Sequence, residues 1–172
     1  QFKMLTDTLK ARDIYDDSAV FLFSDHGDYT GDYGIVEKTQ NTFEDCLSKV
    51  PFLVKPPASH PVRPRVCDAL VELVDFSATV YELTGIDPGY DSFGRSLLPL
   101  IAGDVNEHRD AAFCEGGRLF GEEQAKEKEY GRGLTYDEWL NGLYSPRGIL
   151  QRTDEHPYHT KAAMCRTKTH KY

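Results

Sequence analysis

Residues 20–38 read VFLFSDHGDYTGDYGIVEK, a run of apolar residues followed directly by an acidic, glycine-rich segment that ends in lysine. The apolar run SAVFLFS (18–24) is rich in Val and Phe, which is typical of a strand covered on both faces in a parallel sheet. In open α/β sheets, ligands bind just beyond the carboxyl ends of the strands, and Asp25 and His26 lie at that position. The stretch therefore predicts a buried strand with a candidate site at its end.

The neighbouring sequence alternates predicted helices with predicted strands. Apolar residues in FKMLTDTLKARDIYDD (2–17) recur at the spacing of an amphipathic helix. KVPFLVKPP (49–57) predicts a short strand that ends at its two final prolines. FSATVYELTG (76–85) predicts a helix with Asp75 as its N-cap and Gly85 at its end. This alternation indicates an α/β layer architecture.

The character of the sequence changes near Gly103. AAFCEGG (111–117) and AAMCRTKTHKY (162–172) have the composition of separate strands in a smaller antiparallel sheet. We therefore divide the chain into an α/β part, residues 1–104, and the start of a small antiparallel subdomain, residues 105–172.

The bulk composition argues against several classes of function. The chain has 172 residues, of which 40% are hydrophobic and 28% charged, as in an ordinary soluble globular protein. Its net charge of −8 argues against general affinity for nucleic acid or anionic membranes, and no segment approaches the ~20 apolar residues of a membrane span. Four widely spaced cysteines without a CxxC pair argue against a zinc ribbon and favour a reducing, cytoplasmic compartment over a periplasmic or secreted one.

The acidic loop carries the residue types of a metal and anion site. Asp25 and His26 place a carboxylate beside an imidazole, which gives a divalent cation one hard and one borderline ligand. Oxygen ligands favour Ca²⁺, whereas His26 admits Mn²⁺ or Zn²⁺. Lys38 adds a positive charge suited to an anionic substrate oxygen. The residues alone leave two alternatives open: Asp25 caps a following helix, or the loop carboxylates, Asp28 and Asp32 included, are simply solvated.

Five segments, in order along the chain, resemble the sulfatase family of the alkaline-phosphatase-like superfamily. The first is similar to the family's Ser-Asp-His-Gly stretch and has its Asp-to-Lys separation, and the last is similar to its Arg-Thr-x-x-x-Lys-Tyr strand. The segments are SDHGDYTGDYGIVEK (24–38), KVPFLVKPP (49–57), LVELVDFSATVYELTGID (70–87), SFGRSLLPLIAG (92–103) and AAMCRTKTHKY (162–172). The resemblance implies that residues 1–104 are the C-terminal part of a catalytic α/β sandwich with a mostly parallel sheet, followed by the small antiparallel subdomain.

The resemblance also implies a metal-dependent sulfatase that hydrolyses sulfate esters of a small molecule or a saccharide. Asp25 and His26 then belong to the metal shell, and Lys38 contacts a sulfate oxygen and offsets the charge of the transferring group. The family nucleophile is a formylglycine made from Cys or Ser in a C/S-x-P-S-R motif. Tyr33 stands where the family pattern has histidine, and its phenol can hydrogen-bond a substrate anion but is a poor proton shuttle near neutral pH.

The chain departs from the family pattern because it has no C/S-x-P-S-R motif. Gln1 begins inside a predicted helix and Tyr172 ends a strand-like pattern. We therefore expect a C-terminal fragment that is inactive alone and whose partner is the missing N-terminal part of the same protein. Two alternatives stay open: a phosphonate or phosphodiester hydrolase of the same superfamily, and a non-catalytic binding module that keeps the fold.

Overall fold

The computed structural model describes residues 1–36, 38, 42–117 and 161–172. Helices and strands both occur along these residues, which confirms the predicted α/β class. The helices are α1 (Phe2–Ala11), α2 (Asp45–Ser48), α3 (Val74–Thr84) and α4 (Leu98–Ala102); the strands are β1 (Val20–Phe23), β2 (Phe52–Lys55), β3 (Ala112–Gly116) and β4 (Ala162–Arg166). The predicted amphipathic helix, both predicted strands of the first half, and the helix that ends at Gly85 are all present.

The chain is made of two compact units. The first contains Gln1–Glu37, Glu44–Phe113 and Cys165–Tyr172, and the second contains Lys38–Phe43 and Cys114–Met164. Most of the second unit lies outside the described residues. The division at residues 104 and 105 therefore stays a prediction.

β1 and β2 form a two-stranded antiparallel sheet in the first unit. Val20 lies opposite Lys55, and Phe23 lies opposite Phe52. Val20 is buried, but Leu22 is 40% exposed and lies beside Leu53, which is 51% exposed. The expectation that β1 is covered on both faces is therefore wrong at Leu22, and the neighbouring described strand runs antiparallel. The mostly parallel sheet stays a prediction.

The other face of β1 packs against α3. Phe21 and Phe23 are alternate residues of the strand, so they project from the same face. The ring of Phe76 on α3 lies 4.9 Å, centroid to centroid, from each of them. Phe52 completes this aromatic group with an edge contact to Phe23 at 5.4 Å. Aromatic pairs at such distances add to the stability gained from burial, so α3 fixes the strand that leads to Asp25.

α3 itself is held in place by a buried carboxylate. The helix begins at Val74, with Leu73 before it, so the prediction that Asp75 is the N-cap is wrong. Asp75 lies in the first turn and is fully buried. Its Oδ1 accepts hydrogen bonds from the Arg95 amide at 2.8 Å and from Arg109 Nη2, and its Oδ2 accepts from Arg109 Nε at 3.1 Å. The bidentate arginine provides the partner that a buried anion needs.

Three further contacts complete this group. Asp75 Oδ2 also accepts the Glu72 amide at 2.9 Å and lies 3.1 Å from His108 Nε2, and Glu72 Oε2 lies 3.4 Å from Arg109 Nη1. We call Asp75, Glu72, Arg95, His108 and Arg109 the Asp75 cluster. Burial alone raises the pKa of Asp75, but the hydrogen bonds from Arg109 and from the Glu72 and Arg95 amides outweigh it and lower the pKa. The side chain of His108 is only 7% exposed, so this histidine belongs to the packed interior.

A second contact set joins α3 to the segment that contains α4. Thr79 is buried, donates its hydroxyl to the Asp75 carbonyl at 2.6 Å and accepts the Leu97 amide at 2.9 Å. Gly94 lies so close to α3 that a Cβ there would sit 2.3 Å from the Val74 carbonyl oxygen. The turn before α4 therefore packs against α3, the helix that also contacts β1.

The remaining described elements are less deeply packed. α1 is amphipathic as predicted, but none of its residues is buried. β3 and β4 form a separate two-stranded sheet, and all four cysteines are free thiols.

Among the described residues, no helix combines the length and the apolar character that crossing a membrane requires.

We predict that Asp75→Asn lowers the free energy of unfolding by about 3–5 kcal/mol, because it leaves the buried Arg109 without its main anion. Chemical denaturation measures the change. Glu82→Gln, which removes a carboxylate from the exposed face of the same helix, is the control and should stay within about 0.5 kcal/mol of the parent. Equal losses for both variants would contradict the role given to Asp75.

The same variant should change the acid sensitivity of the fold. The pKa of Asp75 is lower in the folded chain than the value of about 3.9 expected when the chain is unfolded. Its stabilisation is therefore complete above about pH 5 and is lost as the pH falls through the folded pKa. In Asp75→Asn that part of the stability loss between about pH 5 and pH 2 disappears, as denaturation across that range would show.

Candidate functional site

The loop after β1 brings a carboxylate oxygen and an imidazole nitrogen together. His26 Nδ1 lies 2.7 Å from the Gly27 carbonyl oxygen. Because a carbonyl only accepts hydrogen bonds, Nδ1 carries the proton and Nε2 keeps its lone pair in the neutral ring. Nε2 lies 3.6 Å from Asp25 Oδ2, while Asp25 Oδ1 accepts the His26 amide at 3.0 Å. A histidine that donates one ring N–H to a backbone carbonyl is oriented as metal-ligating histidines commonly are.

This pair can provide two ligands to one divalent cation. The side chains of Asp25 and His26 are 84% and 42% exposed, so both are accessible. A separation of 3.6 Å is shorter than the sum of two ordinary ligand distances of about 2.0–2.3 Å, so one ion can contact both atoms. Zinc takes about four ligands and calcium about six to eight. In residues 1–36, 38, 42–117 and 161–172, no three His, Cys, Asp or Glu side chains converge on one point.

The position of this loop is fixed by its contact with α2. The Gly27 amide donates to the Leu47 carbonyl at 2.7 Å. A Cβ on Gly27 would lie 1.8 Å from the Cys46 carbonyl oxygen, so the site admits only glycine. The contact that requires glycine here comes from α2, a segment to which the sequence patterns assign no role.

Tyr33 lies in a tight turn next to this loop. A bridge between Thr30 and Val36 closes the turn, and the Thr30 amide donates to Asp32 Oδ2 at 3.2 Å. Asp32 therefore stabilises the turn, which gives its carboxylate a partner in the protein. Tyr33 itself adopts φ of 56° and is 76% exposed, and a left-handed conformation of this kind is uncommon for a bulky residue.

The Tyr33 phenol is suited to donate a hydrogen bond. The negative charge of Glu44 is the largest cause of a raised Tyr33 pKa, with smaller contributions that include the Cys46 thiol and Asp32. The phenol therefore stays protonated at neutral pH, which favours a donor to an anion over a general base.

The structure brings together some of the predicted site residues and leaves one untested. Asp25 and His26 are adjacent in space as well as in sequence, and Tyr33 lies in the same compact unit. Lys38 is exposed and belongs to the second compact unit. Its predicted contact with an anion at the metal pair therefore stays a prediction.

The first half of the chain matches a known protein family. The family model described as Sulfatase matches residues 1–86, half of the chain. This chain belongs to the sulfatase family. The match includes the Asp25–His26 loop, Tyr33 and all of α3.

Individual relatives agree with this assignment. The Drosophila melanogaster protein "Extracellular sulfatase SULF-1 homolog" is 29% identical over 102 residues, which cover 59% of this sulfatase chain and 9% of the relative. The chain therefore spans less than a tenth of that protein.

Solved structures show that the fold extends beyond the matched half. The phosphonate monoester hydrolase of Agrobacterium radiobacter has a TM-score of 0.66 at 20% identity, over 99% of this chain and 29% of its own. The enzyme SpPMH of Silicibacter pomeroyi has a TM-score of 0.63 at 20% identity, over 95% and 28%. BT4656, solved with its substrate D-glucosamine-2-N,6-O-disulfate, has a TM-score of 0.59 at 20% identity, over 72% and 25%. At this identity they show a shared alkaline-phosphatase-like fold, of which this chain spans under a third.

We predict that Gly27→Ala displaces the Asp25–His26 loop and lowers the free energy of unfolding by about 1–3 kcal/mol, because the new Cβ overlaps the Cys46 carbonyl. Gly34→Asn is the matched control in the same loop: Gly34 has φ of 72° with open space around it, and asparagine tolerates that conformation. Chemical denaturation of both variants tests this. A Gly34→Asn loss as large as that of Gly27→Ala would show that the close contact is not the cause.

Proposed function

We propose that this chain carries part of the active site of a metal-dependent sulfatase, a sulfuric ester hydrolase. The observation that supports this is the approach of His26 Nε2 to Asp25 Oδ2, with Nδ1 donating to the Gly27 carbonyl, in a chain of the sulfatase family. A loop that only contacts solvent does not require the imidazole Nε2 to be held towards a carboxylate oxygen. The proposed fold is the C-terminal part of an α/β sandwich whose mostly parallel sheet includes β1.

The proposed roles follow from the chemistry of each side chain. Asp25 and His26 bind the cation, for which the carboxylate favours Ca²⁺ and the imidazole favours Mn²⁺ or Zn²⁺. When bound, a divalent cation polarises an ester oxygen. Lys38 pairs with a sulfate oxygen. The Tyr33 hydroxyl donates a hydrogen bond to the substrate anion and keeps its proton. Both groups then stabilise negative charge that grows during transfer.

The nucleophile is proposed to come from outside this chain. No C/S-x-P-S-R motif occurs in the 172 residues, so the family's formylglycine would belong to another segment of the complete protein. A formylglycine supplies the covalent nucleophile for the sulfate ester. The chain alone is then inactive, and the segment that contains the nucleophile is its functional partner.

Two classes of substrate are supported by the comparisons. A sulfated saccharide is favoured by BT4656, which was solved with a disulfated glucosamine, and a sulfate ester in general is favoured by the extracellular sulfatase relative. The alternative is hydrolysis of a phosphonate ester or of a phosphodiester. It is favoured by the two phosphonate monoester hydrolases with TM-scores of 0.66 and 0.63. We propose the sulfate ester first because the matching family model and the matching relative are both sulfatases.

The metal site is tested by calorimetric titration of the complete protein with Ca²⁺ and Mn²⁺. Asp25→Asn and His26→Ala should each weaken binding at least about 100-fold, because each removes one ligand, a larger effect than the ~10–100-fold typical of groups behind the ligands. Asp28→Asn makes the same chemical change three positions along in the same loop and should have little effect. Unchanged affinity in Asp25→Asn would remove the metal site from the proposal.

The anion-binding role is tested by hydrolysis of aryl sulfate, aryl phosphonate and aryl phosphodiester substrates. Lys38→Met should lower kcat/KM for the aryl sulfate by about 100-fold, the usual effect of removing one group that stabilises transition-state charge, and should leave Ca²⁺ and Mn²⁺ binding unchanged. Lys49→Met, a similar change at an exposed lysine beyond α2, is the control.

The same assay separates the alternatives. A dominant phosphonate or phosphodiester rate in the unmodified complete protein would replace the sulfatase assignment. Metal binding without hydrolysis of any substrate would identify a binding module that keeps the fold.

A further inference from the structure

The C-terminal residues form a hairpin with two cations on one face. The Cys165 amide donates to the Tyr172 carbonyl at 3.0 Å, and the Tyr172 amide donates to the Cys165 carbonyl at 2.9 Å. Between them, Arg166 and Lys171 form an antiparallel bridge pair. Residues directly opposite in such a pair have neighbouring side chains, and like charges at these positions repel. An anion close to both cations therefore relieves this repulsion.

Asp45 is that anion. Its Oδ1 lies 2.8 Å from Lys171 Nζ and 3.3 Å from Arg166 Nη1. The hydrogen bond from Lys171 is the largest cause of a lowered Asp45 pKa, so the carboxylate is charged at neutral pH. Both cations are thus attracted to the same Asp45 oxygen, which offsets the repulsion between them.

Asp45 is also the first residue of α2, the helix that holds the proposed metal loop. The next two residues, Cys46 and Leu47, provide the carbonyls that contact Gly27, one by close approach and one by a 2.7 Å hydrogen bond. Gly27 directly follows His26, and its own carbonyl accepts the His26 Nδ1–H. A shift of α2 therefore moves the atom that orients the imidazole.

We propose that Asp45 is a positioning residue, through which the C-terminal hairpin holds α2 against Gly27 and so fixes the orientation of the Asp25–His26 pair. The effect on metal binding rests on the proposed function, whereas the effect on Gly27 does not. This assigns a role to the Arg-Thr-x-x-x-Lys-Tyr segment: Arg166 and Lys171 set the position of a metal ligand that lies about 140 positions earlier in the sequence, without touching it.

The chain contains a matched control for this proposal. Lys168 lies in the same hairpin and forms an ion pair with Glu107, which is outside α2. Lys168→Met therefore removes a cation of the same hairpin without removing a contact to Asp45. Exchanging the charges, with Asp45→Lys and Lys171→Asp together, keeps two cations and one anion at the three positions.

The test uses the complete protein with two measurements: hydrogen exchange at the Gly27 amide and calorimetric titration with Mn²⁺. Asp45→Asn should accelerate exchange at Gly27 and weaken Mn²⁺ binding, each by about tenfold, the lower end of the range for groups that act behind a ligand. Lys168→Met should change neither by more than about twofold, and the exchanged pair should recover most of the parent values. Melting temperatures of all variants should stay close together, which separates positioning from loss of the fold.

The two measurements distinguish the failure of this proposal from failure of the proposed function. Unchanged Gly27 exchange in Asp45→Asn, or an equal acceleration in Lys168→Met, would overturn the positioning role. Accelerated Gly27 exchange in a protein whose unmodified form binds no Mn²⁺ and no Ca²⁺ would support the mechanical link and overturn the metal site.

Discussion

The first compact unit depends on one buried ion pair, in which Arg109 contacts both oxygens of Asp75. An isolated carboxylate in an apolar interior is strongly unfavourable, and it is retained only where hydrogen bonds and an opposite charge compensate for the lost water. Asp75 receives both, from an arginine 34 positions away and from backbone amides on either side of α3. The ion pair joins α3 to the segment before α4 and to the start of β3. It fixes the helix against which β1 and the segment before α4 pack.

Packing of β1 against α3 fixes the position of the candidate site. Phe76 is the residue next to Asp75, and its ring contacts Phe21 and Phe23 of β1. β1 ends one residue before Ser24, and Asp25 follows. The loop is held again on its far side, where Gly27 meets α2. Asp25 and His26 thus lie on a short exposed loop between two fixed points, an arrangement that gives solvent access and keeps a defined geometry.

Local sequence patterns predicted the elements well, and the contacts between them poorly. The spacing of apolar residues in α1, the prolines after β2 and Gly85 after α3 are signals carried by neighbouring residues, and the structure confirms each. Asp75 before an apolar run has the usual signature of an N-cap, and the prediction failed because Arg109, far away in the sequence, decides its environment. The positions of His108 and of α2 against Gly27 were missed for the same reason. The proximity of Asp25 and His26 could be predicted because the two residues are neighbours in the sequence, whereas their role as ligands stays a prediction.

Asp25 and Asp75 show why residue type alone does not assign a function. Asp75 is fully buried, and both of its oxygens accept hydrogen bonds from the protein, which leaves it no capacity for a ligand. Asp25 is 84% exposed, and while its Oδ1 accepts one neighbouring amide, its Oδ2 faces the lone pair of an oriented imidazole nitrogen. With a neutral imidazole these are two electron-rich atoms held side by side, and a cation between them is attracted to both. Complete hydrogen bonding inside the protein therefore makes Asp75 structural, whereas Asp25 keeps one oxygen exposed and is the carboxylate for which we propose a metal.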